Sequence, residues 1–157
     1  MLSLLHPHDP SESLQREIRN ADVVTADLVS AVLELALAHC APSDQGPQPK
    51  RIRELIAARA WTDAALALVA LDRSRVLRHV IYDEGEWCCA LGSLAPLPAW
   101  LDDTIECAHA ELPLAILGAL VEAFAIKSAP APTATSVPRS RAEPRNLTAY
   151  VDCDNFA

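Results

Sequence analysis

Two histidines and three cysteines fall between positions 79 and 109: His79, Cys88, Cys89, Cys107 and His109. Zinc takes nitrogen and sulfur ligands in a tetrahedron. A β-hairpin that set His79 across from Cys89, with Cys88, Cys107 and His109 near by, would begin such a site or a thiol-based one. The spacing works against it. Cys107 and His109 are two apart, about 200° on the helix expected there, and neither a CxxC nor an HxxxH pair occurs. A buried thiol is commonly a small apolar side chain, and a lone His on an apolar face is commonly a core residue. No metal is favoured and no cofactor is expected. A metal- or thiol-dependent enzyme, or a metal-binding protein, using His79, Cys89 and Cys107 stands as an alternative reading.

A second group is acidic: Asp83, Glu84 and Glu86 at a hairpin tip, then Asp102, Asp103 and Glu106 at the start of an expected helix. Paired carboxylates serve acid-base chemistry or hold hard cations, but acids at a helix start also answer the helix dipole. From His79 to Ile126 there are eight acids and no Lys or Arg, whereas Lys50 to Arg78 holds seven basic residues against three acids. The acidic half is therefore read as a surface that meets a basic one, on a partner or on a basic face made by Lys50, Arg51, Arg53 and Arg59. That basic face opens a third reading, weak DNA binding by a helix-turn-helix. The second helix of the pair, TDAALALVALD, has two acids and no basic residue, which suits neither base edges nor phosphates. With a net charge of -8, nucleic acid is not the expected partner, since phosphate binding needs a surplus of cations.

Other chemistry is narrowed by absence. The chain has no GxGxxG, P-loop, GxSxG, HExxH or calcium-loop pattern, and its four glycines leave little for cradling phosphates. Catalysis is accordingly the weaker expectation. Five cysteines without framework spacing, and an N-terminus lacking a basic and then apolar leader, read as a reduced, cytoplasmic protein. The longest apolar run, Leu112 to Ile126, is interrupted by Glu122 and is too short to span a bilayer, so no membrane role is expected.

These residues must be positioned by a mainly helical α+β domain. The content is 51% hydrophobic but only 4% aromatic, so Ala, Leu, Val and Ile must build the core. Leu14, Ile18, Ala21, Thr25, Leu28, Val32, Leu35 and His39 recur in steps of four and three, the stripe of an amphipathic helix. Ser11 or Ser13 would cap it, and the low-propensity run Asn20 to Thr25 marks a place for a break. The Pro-rich stretch 42–49 reads as a linker, followed by helices over Lys50 to Ala60 and Thr62 to Asp72, the latter apolar on most sides and capped by Thr62. Val76 to Leu91 reads as an antiparallel hairpin. A three-residue loop Asp83-Glu84-Gly85 would place His79 opposite Cys89; a two-residue loop at Glu84-Gly85 is the competing register. A helix through Trp100, Leu101, Ile105 and Ala108 follows, broken or kinked at Pro113, and then a last helix striped by Leu114, Leu117, Leu120, Val121 and Phe124. One domain, 1–127, is expected, with 128–157 a Pro/Ser/Thr/Arg-rich disordered tail.

The blocks RELIAARAWTDAALALV, YDEGEW, WLDDT and LPLAIL, within Leu14 to Ile126, resemble a family of small uncharacterised alphaproteobacterial proteins of unknown function. The resemblance implies a bacterial, cytoplasmic, single-domain protein and carries over no site residues. Because a lone hairpin is marginal in water, this one must lie on helices or pair across an edge. The expected function is protein–protein interaction or regulation without catalysis, the partner being another protein or a second copy in a homo-oligomer.

Overall fold

The computed structural model describes residues 10–41, 46–95 and 103–128. Five helices and one sheet form among them: α1 (Pro10–Asn20), α2 (Ala26–His39), α3 (Gln48–Ala57), α4 (Trp61–Leu71), β1 (Arg75–Asp83), β2 (Glu86–Ser93), β3 (Ile105–His109) and α5 (Leu112–Ser128). The three strands are antiparallel in the order β1-β2-β3. An α+β, mainly helical architecture is thus observed. The expected tail beyond Ser128 lies outside the described residues, as does Asp102.

The long N-terminal stripe is two helices, because residues 21–25 leave the helical path. Thr25 is the N-cap of α2, its hydroxyl accepting from the Leu28 amide at 3.3 Å, and so is not a core residue. Pro10 starts α1, which puts Ser11 and Ser13 inside its first turn. Leu14 and Ile18 from α1, and Leu28, Val32 and Leu35 from α2, enter the core on the expected stripe. The linker is shorter than its prolines suggested: α3 begins at Gln48 with Pro49 in its first turn, where a missing amide costs nothing. α3 ends with Arg59 in the left-handed region (φ 56), its amide donating to the Ile56 carbonyl and that of Ala60 reaching the Leu55 carbonyl. The N-cap of α4 is Ala60 without a side-chain cap, so Thr62 lies inside the helix. α4 buries Ala64, Ala65, Leu68, Val69 and Leu71 but turns Leu66 and Ala70 outward, a one-sided helix rather than one buried on most sides.

The centre of the molecule is α5, which lies across β2 and β3 on one side and against α1, α2 and α4 on the other. Leu114, Ile116, Leu117, Leu120, Val121 and Phe124 are all buried, so the helix presents apolar atoms in every direction rather than along one stripe. Pro113 occupies its first turn, where it satisfies the start of the helix instead of breaking it. Gly118 lets β3 approach closely, because a Cβ there would collide with the Cys107 sulfur.

Two helices after the hairpin were expected; among the described residues one is found, Trp100 and Leu101 lying outside them. Residues 105–109 are strand β3, because Ile105, Cys107 and His109 alternate with exposed Glu106 and Ala108, a period of two. The helical spacing of Ile105 and Ala108 is incidental. The hairpin also takes the two-residue loop, with Asp83 opposite Glu86, Glu84 at φ 49 and Gly85 at φ 93, both left-handed as such a turn demands. Tyr82 then faces Trp87, Ile81 faces Cys88, Val80 faces Cys89 and His79 faces Ala90, and a bulge between Leu77 and His79 returns Leu77 to Leu91. This one-residue slip moves His79 and Ile81 off the core face, where the three-residue loop had placed them.

Candidate functional site: the sheet and its outer edge

β2 is the central strand, bonded on both sides, and α5 covers β2 and β3. β1 therefore overhangs the core, with α4 as its helical neighbour. Its base, Arg75 to Leu77, is half-buried; Ile81 and Tyr82, toward the tip, are 53% and 59% exposed. Tyr82 leans on Trp87 with ring centroids 4.9 Å apart. Backbone groups alternate in an antiparallel ladder. Asp83 and Glu86 bracket the turn as a bonded pair, so Asp83, Ile81 and His79 direct their amides and carbonyls at β2. Those of Tyr82 and Val80 face away from the sheet.

The expected metal and thiol residues are divided between the two faces of the sheet. Val80, Cys89 and Cys107 form one row on the core face; His79, Ala90 and Glu106 form the next, on the outer face. His79 and Cys89 thus point apart. His79 Nε2 stands 3.9 Å from a Glu106 carboxylate oxygen, and His109 Nδ1 accepts the Glu111 amide at 3.0 Å. Among the described residues no three His, Cys, Asp or Glu side chains are grouped to hold a metal ion. Burial, helped by the neighbouring Cys107 and Cys88, pushes the Cys89 thiol up to about 12. Burial also raises Cys107, with Glu122 adding to the effect and Arg19 opposing it. Both sulfurs are free and protonated at neutral pH, a poor starting point for nucleophilic chemistry.

The acids are spread along the sheet rather than gathered. Asp83, Glu84 and Glu86 are exposed at the tip and Glu106 is in mid-strand. Asp103 is at the base, not in a helix start: it accepts from Arg75 at 2.7 Å and from the Ser93 amide at 3.2 Å, locking β1 and β2 to the entry of β3. Arg75 is almost wholly buried in that contact. Lys50, Arg51, Arg53 and Arg59 are exposed around α3, where Lys50 lies 3.9 Å from Glu54 and Arg53 3.4 Å from Glu34. Exposed pairs of this kind contribute little.

One polar cluster had no counterpart in the sequence reading. Asp72, buried at the C-terminal end of α4, accepts from the Ser74 amide at 3.0 Å, the Ser74 hydroxyl at 2.6 Å and Lys127 at 3.0 and 3.1 Å; Lys127 also reaches the Ser74 oxygen at 2.5 Å. Burial pushes the Asp72 carboxyl upward, but the hydrogen bonds from Ser74 and Lys127 outweigh it and hold the group below the usual carboxylate range. The cluster pins the corner between α4 and β1 to the last turn of α5. Its local signal was the Asp-x-Ser step after a helix, a common side-chain-to-backbone turn. Its distant signal was Lys127, the first Lys or Arg after Arg78.

No helix among the described residues is long and apolar enough to cross a membrane. Comparison of the chain with protein-family models, with curated proteins and with solved structures finds no match. The reading of function therefore rests on the geometry of the chain itself.

Proposed function

We propose that this is a small cytoplasmic interaction or regulatory protein without catalytic activity, which associates with a protein partner, foremost with itself. The observation that carries the reading is the outward edge of β1, with Ile81 and Tyr82 more than half exposed beside strand backbone that has no ladder partner among the described residues. An exposed edge is a template for another strand, and strand addition is a common mode of protein recognition. The resemblance in the sequence blocks adds a bacterial setting. Thiol or metal chemistry has less support, because Cys89 and Cys107 lie on the core face of the sheet while His79 lies on the opposite face. DNA binding has less support as well, since α4 shows one acid, Asp63, and no base along its length.

Sedimentation velocity of the full chain tests the reading, run from about 1 to 500 µM at low and high salt. The expected result is a sedimentation coefficient that rises with concentration and rises less at high salt. A monomer throughout, indifferent to salt, overturns self-association.

A further inference from the structure

We infer that a second copy of the chain adds to the β1 edge, the two β1 strands running antiparallel about a two-fold axis at Ile81. The inference rests on the proposed self-association and specifies its surface and register.

Three observations on one strand lead there. The first is that the outward backbone groups of Val80 and Tyr82 are spaced to bond their own counterparts. In a two-fold antiparallel pair centred on residue 81, Val80 faces the partner's Tyr82 and Tyr82 faces the partner's Val80, so every outward donor meets an outward acceptor. A centre between two residues would oppose outward groups with inward ones and make no ladder. The second is the bulge between Leu77 and His79. Bulges end pairing along an edge, which disfavours a centre at residue 80, since that would draw Leu77 and Arg78 into the ladder. The regular stretch from His79 to Asp83 has residue 81 at its midpoint.

The third is charge. Arg78 and His79 stand on one side of Ile81, Asp83 and Glu84 on the other, all exposed. The two-fold brings the His79 imidazole opposite the partner's Asp83 carboxylate, twice over. A parallel arrangement would oppose like with like. Arg78 is turned the other way, its side chain folded over Gly92 of β2 and donating to the Ser93 carbonyl at 3.2 Å, and takes no part in the contact. On the outer face Ile81 would meet its own copy, a non-hydrogen-bonded pair with the closer side-chain approach. On the core face each Tyr82 would cover the partner's Val80. The product is a six-stranded sheet. A short ladder of this kind falls at the small end of interfaces, so the association should be weak and concentration-dependent.

Two variants of the full chain test this beside the parent. Ile81→Lys sets two ammonium groups face to face across the axis while leaving the exposed face of the monomer soluble. It should raise the dimer dissociation constant by about tenfold or more. Ile81→Cys, made with Cys88→Ser to remove its neighbour on the same face, should form an intermolecular disulfide when diamide takes up the two thiol hydrogens. Leu66→Cys on α4, also with Cys88→Ser, should not. A parent dimer that is unchanged by Ile81→Lys, with Ile81→Cys linking no better than Leu66→Cys, overturns the β1 register and leaves self-association standing. A parent that is monomeric at every concentration overturns both. Circular dichroism matching the parent ensures that a lost dimer is not a lost fold.

Discussion

α5 and β1 show how differently one chain treats two elements of comparable importance. α5 is bounded on all sides by other elements, and its charged residues, Glu122 and Lys127, fall where the burial relaxes. Among the described residues β1 is bonded along one side, and past Leu77 most of its side chains reach solvent. The helix is held by apolar area and by fit. The strand is held by its ladder to β2, by the Arg75–Asp103 contact at its base and by little else near its tip. The core layer therefore tolerates few changes, whereas the overhanging strand is free to carry residues chosen for a partner.

That contrast can be broken at several points. Phe124→Ala should cost about 3–5 kcal/mol, since it empties a fully buried aromatic site that also stacks on His39. Ile81→Ala, measured in the same urea titration at a concentration where the chain is monomeric, should stay within about 0.5 kcal/mol. Equal costs would mean that β1 is packed as tightly as α5.

The polar corner that ties the two layers together comes next. Asp72→Asn should lower stability by about 2 kcal/mol at neutral pH, because it weakens a hydrogen-bonded carboxylate and leaves Lys127 without its charge partner. Asp72 is depressed in the folded state, so its contribution is fully present above the unfolded value of 3.8 and is lost as the pH falls through the lower folded value. The gap between parent and variant in acid titrations should therefore close below that pH; a gap that persists there would remove ionisation from the explanation.

Gly118→Ala sharpens the comparison through its sign. In an open helix the change stabilises by about 0.5–1 kcal/mol, but here the new methyl meets the Cys107 sulfur. A net loss of about 1–2 kcal/mol is expected, and Cys107→Ala should recover most of it in a double-mutant cycle. The smallest effect is a gain. Arg59→Gly relieves a left-handed side-chain-bearing residue at the end of α3 and should add about 0.5–1 kcal/mol in thermal or urea unfolding.

Helices were legible wherever apolar residues kept a helical step, as with Leu14 and Ile18, Leu28 and Val32, or Ile52 and Ile56. The place of the hairpin was legible too, from Gly85 between two β-prone runs. Its register was not. The choice between loops of two and three residues rests on Glu84 accepting a left-handed backbone, which no local propensity announces, and the choice carried His79 from one face to the other. β3 was hidden because five alternating residues are a short signal, and Ile105 and Ala108 also satisfy a helical step. Nor could the sequence say which hairpin strand would lie at an edge. That depends on β3 joining β2, a pairing made through a segment distant from β1. The buried Asp72 was similarly obscure, because its partner lies 55 positions away.

α5 is the last of the described elements in chain order and the one on which α1, α2, α4, β2 and β3 rest. During synthesis, α1 to α4 and the strands would emerge with their apolar faces prepared but with the common surface still unmade. The contacts of α5 with α1, α2 and α4 join distant parts of the chain, and such non-local contacts are associated with slower folding and with exposed intermediates. The nascent chain would thus have to keep an unguarded sheet and four half-buried helices soluble until residues 112–128 arrive, and the burden of avoiding premature association would fall on the same β1 edge.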